Sequence, residues 1–170
     1  MQKIIISEYD PLWPKLFEKE KKKLSSALPP EIIIEHVGST SIPGLAAKPV
    51  IDIMIGVPSL EMADEVCIEP IRALRYIYVP EYEEHVPERR YFRKLNEEGI
   101  ATHHIHLVEY NSPWWKRHIQ FRDYLRHHPE AVNEYAELKK GLASKFTDTN
   151  EYANAKTEFV KKIENLAKKL

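Results

Sequence analysis

HVGSTSIPGLAAKPVIDIMIGV, residues 36–57, decides how this chain is read. The run Val50-Ile51-Asp52-Ile53-Met54-Ile55-Gly56-Val57 is nearly all apolar, has the length of a strand and is flanked by Pro49 and Pro58. It reads as a strand covered on both faces. Upstream, Ile32 to Val37 is short, β-branched and stopped by Gly38, which makes a second strand, with a loop of Gly, Ser and Pro between the two. Alternation along the later strand places Val50, Asp52 and Met54 on one face and Ile51, Ile53 and Ile55 on the other. An ionised carboxylate in so apolar a strand needs a partner or an opening to water, because burying it alone is costly. Asp52 therefore either caps a nearby loop or pairs with Lys48 or an arginine, or serves a metal or phosphate site. Gly38 permits close backbone approach, while Ser39 and Thr40 offer hydroxyls and amides, so this turn can cradle an anion such as phosphate.

Working outward, Asp10-Pro11 reads as the start of a helix carrying Leu12, Leu16, Phe17 and Leu24 at helical spacing and ending before Pro29-Pro30. Ser59 is expected to cap a helix running toward Leu74, followed by a short strand over Tyr76 to Val79. PEYEEHVPE is acidic and broken by proline, hence a loop. Arg89 to Lys94 and His103 to Val108 are predicted to pair as an antiparallel hairpin across residues 96–99. From Asn111 the periods become helical. Ser112-Pro113 opens one helix and Pro129 another, and a third carries Tyr152, Ala155, Phe159, Ile163, Leu166 and Leu170 on one face. The expected organisation is one domain over 1–170, with a sheet-containing core over 1–110 and a helical part over 111–170 packed on it.

Composition excludes several classes. A 170-residue chain with 43% hydrophobic and 30% charged residues builds a packed core. Its formal charge of −1 supplies no global field to hold a polyanion, so nucleic acid is not an expected partner. The single cysteine, Cys67, rules out an internal disulfide or a thiolate metal cluster. The opening apolar patch is too short for a signal peptide, and no run approaches the roughly 20 apolar residues of a membrane span, so a cytoplasmic protein with no membrane partner is expected.

Other residues could join Asp52. His104 and His106 lie two apart on one strand, with their rings on one face about 7 Å apart at the backbone. They can ligate a metal, donate to a phosphate or act as acid and base; the alternative is a hydrogen-bonded pair of sheet histidines. Lys48, at the mouth of the Asp52 strand, is a phosphate contact or a surface lysine. Arg89, Tyr91 and Arg93 share a face, where the arginines either clamp phosphate or form a basic edge. Glu35 either supplies a further metal carboxylate or pairs with Lys48 or Arg93. Trp114 and Trp115, at helical spacing, read as core.

The Gly38-Ser39 pair, followed by Asp52 in a hydrophobic strand, resembles the signature of the polymerase-β-type nucleotidyltransferase superfamily. Longer stretches, EYDPLWPKLFEKE, EHVGSTSIPGLAAKPVIDI, RRYFRK, HHIHLVE, FRDYLRHHPEAVNEYAELKKGLA and YANAKTEF, resemble the GrpB family from Glu8 to Phe159. The resemblance implies an α+β or α/β nucleotidyltransferase-like fold, a mixed sheet of about 4–5 strands with flanking helices and a C-terminal helical segment. It implies a Gly-Ser turn that binds nucleotide phosphate and strand carboxylates that hold Mg2+ for nucleotidyl transfer to a small acceptor. It also implies that Asp52, His104 and His106 converge on one cleft. Two departures stand out: the position of a second acid is Met54, and a later strand offers His104 and His106 where a third acid is usual. The competing expectations are a binding module for a nucleotide or phosphorylated small molecule, linked to coenzyme A synthesis because GrpB-like domains occur fused to dephospho-CoA kinase, and a metal-dependent hydrolase built on Asp52, His104 and His106.

Overall fold

The structure, a computed structural model, describes residues 4–169. Helix α1 (Leu12–Ala27) begins where expected, with the Asp10 carboxylate accepting the Leu12 amide at 2.9 Å. Its inner face, Trp13, Phe17, Glu20 and Leu24, is buried. The two strands of the opening motif are β1 (Ile33–Val37) and β2 (Ile51–Val57), joined through a single 3-10 turn at Ser39–Ser41. The helix expected from Ser59 to Leu74 is two, α2 (Leu60–Val66) and α3 (Ile68–Ala73). Ser59 does cap, accepting the Met62 amide at 3.1 Å. The break comes at Cys67 because Pro70 has no N–H to offer the Val66 carbonyl and its ring crowds that carbonyl.

Strands β3 (Ile77–Tyr78), β4 (Arg89–Leu95) and β5 (Ala101–Glu109) complete a five-stranded sheet in the order β1-β2-β5-β4-β3. The β4–β5 hairpin forms as expected, and β2 and β5 run parallel while every other neighbour is antiparallel. The sheet is mixed and the class is α+β. The parallel register sets Asp52 beside His104 and Met54 beside His106.

The two faces divide the chemistry. Ile51, Ile53, Ile55, Phe92, Ile105 and Leu107 project from one face into the main core under α1, α2 and α3. The other face carries Asp52, Met54, His104, His106 and Val108, and is only partly covered. There α4 (Pro113–Arg126) lays Trp114 and Trp115 over Val37, Met54 and Val108, which confirms both tryptophans as core. Helix α5 (Pro129–Ala143) follows. The expected last helix is again two, α6 (Thr149–Ala155) and α7 (Thr157–Ala167), because the Lys156 amide bonds back to the Ala153 carbonyl and tightens the chain out of α geometry. Its single apolar face divides accordingly. Tyr152 is buried, Phe159 and Ile163 join a second core cluster with Leu166 packed against it, Ala155 is exposed, and Leu170 lies outside the described residues. Among the described residues no helix is long and apolar enough to cross a membrane.

Candidate functional site

The turn after β1 is built around Gly38, which has φ 72° and ψ −175°, a conformation essentially reserved for glycine. It lets the backbone pass so near Asp52 that a β-carbon here would stand 2.5 Å from Asp52 Oδ2. Ser41 pins the bend, its hydroxyl and its amide both donating to the Gly38 carbonyl. Helix α4 holds the turn from outside. Arg122 donates to the His36 carbonyl at 3.0 Å, and Arg126 donates to the Ser41 carbonyl at 3.0 Å.

Asp52 opens toward the cleft with 27% of its side chain exposed, Oδ1 lying 3.3 Å from His106 Nε2 and 3.5 Å from His104 Nδ1. Burial favours the neutral acid, but the hydrogen bonds to His104 and His106 outweigh it and hold Asp52 well below the usual carboxylate range. Burial lowers the His106 pKa as well, with Asp52 opposing. Arg89 Nη1 stands 3.4 Å from His106 Nδ1, and a guanidinium can only donate, so Nδ1 is the acceptor and Nε2–H faces Asp52. His106 is thus a neutral link between a carboxylate and an arginine. Arg89 itself lies over the rings of Tyr91 and Trp114, at 5.0 and 6.0 Å.

A cavity of about 170 Å3 lies next to Asp52, lined by Ser39, Thr40, Lys48, His104, Lys139, Tyr152 and Lys156 among others. Sequence reasoning missed Lys139 and Lys156. Lys139 is only 2% exposed. Its ammonium donates to Ser39 Oγ, lies 3.4 Å from the Ala46 carbonyl and sits 4.3 Å from the centre of the Tyr135 ring. Burial, reinforced by Lys156, pushes its pKa well below that of an ordinary lysine. Burial and Lys48 push Lys156 down to about 8. Lys48 is also lowered by burial, with Asp52 opposing. Among the described residues none of these three ammoniums has a carboxylate within ion-pair distance. The Tyr152 hydroxyl is buried with no hydrogen-bond partner.

The remaining sequence candidates fall as follows. Ser39, Lys48, Asp52 and His104 meet at the cavity, with Gly38 against Asp52 and His106 behind it. Thr40 reaches the wall, but its hydroxyl is committed to His36 Nε2 at 2.9 Å and the Val50 carbonyl at 3.3 Å. Arg93 is exposed on the strand neighbouring His104 and does not line the cavity. Glu35 does not join Asp52: it lies opposite Met54 on β1 and is taken by Arg122 at 2.7 Å, in place of the expected Lys48 or Arg93.

For a metal, that arrangement brings one of the two expected carboxylates, Asp52, to the cavity. Mg2+ takes oxygen ligands in octahedral geometry. Here Asp52 stands between two imidazoles, Met54 is fully buried and Glu35 is ion-paired with Arg122, so the chain itself offers one carboxylate, and the other oxygen ligands of a magnesium ion would have to come from water or from a phosphate. For a transition metal, the imidazole nitrogens point at the carboxylate, and among the described residues no group of three or more His, Cys, Asp or Glu side chains converges to hold an ion.

Two histidines nearby set a response to acid. The His36 ring stacks on Phe17 at 4.7 Å, and burial, aided by Arg126 and Arg122 and opposed by Asp52, pushes its pKa down to about 4. His118 stacks on Trp114 at 3.5 Å, and burial pushes it down to about 3. Above pH 6.5 both are neutral whether the chain is folded or not. As pH falls from 6.5 toward 4, the unfolded chain takes up protons that the folded protein refuses, so stability declines. The expected loss is at most about 3 kcal/mol per histidine by pH 4, because each pH step between the unfolded and folded pKa is worth about 1.36 kcal/mol. Urea unfolding between pH 7 and 4.5 checks this, and His118→Phe should flatten the slope; a curve independent of pH in wild type would contradict it.

The family model described as GrpB protein matches residues 3–166. The chain belongs to the GrpB family. It is 43% identical over 170 residues to UPF0157 protein YqkA of Bacillus subtilis, covering 99% of this chain but only 48% of that protein. It is 37% identical to Glutamate-rich protein GrpB of Alkalihalophilus pseudofirmus, covering 95% and 94% of the two chains. The crystal structure of GrpB from Enterococcus faecalis superposes with a TM-score of 0.84 at 38% identity over 96% of both chains. Beyond the GrpB family, the Cid1 poly(U) polymerase bound to Mg 3'-dATP superposes with a TM-score of 0.57 at 10% identity, over 82% of this chain and 43% of that one. At that identity the likeness is one of fold: GrpB has a nucleotidyltransferase-like architecture.

Proposed function

We propose that the protein binds the phosphate of a nucleotide or phosphorylated small molecule in the cavity beneath the Gly38-Ser39 turn, as a binding module and not as a two-metal nucleotidyltransferase. The observation that carries this reading is the set of three ammoniums, Lys48, Lys139 and Lys156, facing one small cavity without carboxylate partners among the described residues. Gathering them costs desolvation, which depresses the pKa of each, and repulsion, which lowers Lys139 and Lys156 further. An anion relieves both costs at once, and the Ser39 and Tyr152 hydroxyls add neutral hydrogen bonds. Fold likeness supports the choice of a nucleotide, because Cid1 binds MgGTP and Mg 3'-dATP. Part of the chain is also 44% identical, over 71 residues, to a Dephospho-CoA kinase of Mycolicibacterium paratuberculosis, covering 17% of that protein, and coenzyme A precursors are therefore among the ligands to try.

The test is a thermal-shift screen of pyrophosphate, nucleoside triphosphates and coenzyme A precursors on the wild-type chain. A ligand at about 100 times its Kd adds about 2.7 kcal/mol. At 2–4 °C per kcal/mol for a chain of this size, that is a rise of roughly 5–10 °C. No rise with any phosphate-bearing compound at millimolar concentration would overturn the proposal.

A further inference from the structure

The chemistry of the cavity specifies which part of a ligand enters it and what accompanies that part. Three amines and a single carboxylate line it, so protonated lysines leave an excess of positive charge that only an anion of more than one charge neutralises. Its volume of about 170 Å3 lies below the ~300 Å3 at which pockets begin to enclose a drug-sized molecule. A phosphate or diphosphate group fits, and a nucleoside does not fit beside it. Tyr152 and His104 carry the rings in the lining: the ammoniums of Lys156 and Lys48 lie over the Tyr152 ring, 4.4 and 5.5 Å from its centre, and His104 is held between Asp52, 3.5 Å from its Nδ1, and the Tyr91 ring at 5.5 Å.

A divalent cation has no place in this arrangement. Beside Asp52 it would confront three amines, whose positive charge opposes its entry. The amines already supply the neutralising charge that magnesium brings to phosphates elsewhere. Asp52 in turn repels an entering anion. It keeps the lysine cluster tolerable when no ligand is present, which is why Coulombic attraction to Asp52 opposes the depression of all three lysine pKa values.

We infer that this cavity is a magnesium-independent receptor for a terminal phosphomonoester or diphosphate group, with Lys48, Lys139 and Lys156 in place of the metal, and that it does not read a nucleobase. The inference rests on the phosphate-binding reading above. A phosphodiester, with one charge and a substituent on each side, is excluded by both charge and size.

Calorimetric titration of the full chain with pyrophosphate, ADP, CDP and 3',5'-cyclic AMP, each in EDTA and in magnesium, decides it. ADP and CDP are expected to bind in EDTA with affinities within about threefold of one another, and cyclic AMP at least roughly tenfold more weakly, since losing one charged contact is worth about a factor of ten. Asp52→Asn, checked for folding by circular dichroism, is expected to bind pyrophosphate at least as tightly as wild type. An absolute need for magnesium, a preference of more than about tenfold between ADP and CDP, or loss of binding in folded Asp52→Asn would each overturn the inference while leaving phosphate binding itself intact. Absence of binding by every compound, with and without magnesium, would overturn both.

Discussion

Lys139→Met is expected to remove the phosphate-induced rise in melting temperature while leaving the ligand-free protein as stable as wild type or more so. The two halves of that result have one origin. Lys139 is 2% exposed and, among the described residues, has no carboxylate partner, so in the ligand-free protein its amine is either a desolvated charge or a neutral amine held far below its preferred pKa. Methionine has nearly the same length, carries no polar nitrogen and fits the apolar surroundings of Tyr135 and Ala136 on α5. Removing buried charge in favour of a well-packed apolar group is neutral or stabilising by about 1–4 kcal/mol, less here because Ser39 Oγ and the Ala46 carbonyl lose their donor. Ligand affinity moves the other way. A hydrogen bond to a charged group is worth about 1.5–3 kcal/mol, so binding should weaken by roughly ten- to a hundredfold. Denaturant unfolding and pyrophosphate titration on the same sample measure both. A Lys139→Met protein that is destabilised by several kcal/mol, or that binds like wild type, would show that the amine is a structural element of α5. Lys162→Met, on an exposed pair with Glu134, serves as the surface control and should change neither quantity.

Lysine on the buried stripe of a helix is a residue kept at a cost in stability, and the stripe is written in the sequence. Val132, Tyr135, Ala136 and Lys139 recur at three and four residues along α5 and all are buried. A lysine at the fourth position of an apolar stripe is the anomaly that periodicity is suited to detect. What periodicity does not carry is the destination of its amine, because nothing local connects Ser39 to a residue 100 positions later. Lys156 had a weaker signal, since it becomes a cavity residue only through the break between α6 and α7, where the amide bonding to Ala153 is a matter of conformation and not of residue type. The break at Cys67 was legible in Pro70.

Asp52, His104 and His106 were legible for a different reason. Each sits in a strand whose period of two fixes which face it shares with its neighbours, and three polar groups at inward positions of apolar strands announce themselves. That they are close is another matter. Parallel pairing of β2 with β5 brings Asp52 level with His104, and no local pattern in either strand encodes a partner about fifty residues away. The resemblance to the GrpB family supplied that, together with the strand count. Glu35 illustrates the opposite outcome. Its place on β1 was legible, yet its partner is Arg122 from a helix that sequence alone could not position, in place of the Lys48 or Arg93 that the strand pattern offered.

Gly38→Ala is expected to be strongly destabilising, and a second glycine allows its cost to be divided. Gly38 has φ 72° and ψ −175°, and holding alanine there costs about 1–3 kcal/mol through the backbone alone. The added methyl would also stand 2.5 Å from Asp52 Oδ2 and 3.1 Å from Asp52 Cβ and Cγ, so the carboxylate must move. Moving it loosens the contacts to His104 and His106 on which its low pKa depends, leaving an ionised group with poorer partners. Gly44, in the same loop, has φ 82°, but a methyl there meets nothing within 4 Å. Gly44→Ala therefore reports the backbone penalty with no collision, and is expected to cost about 1–2 kcal/mol. Gly38→Ala should exceed it by about 1–3 kcal/mol, a further fall in melting temperature of roughly 2–12 °C at 2–4 °C per kcal/mol. The imidazole nitrogens of His104 and His106, followed by 15N NMR, should shift in Gly38→Ala and stay in place in Gly44→Ala. If the two variants lose equal stability and leave both imidazoles undisturbed, the turn does not press on Asp52. Glycine at 38 would then serve the bend alone, and the carboxylate would owe its position to the strand that carries it.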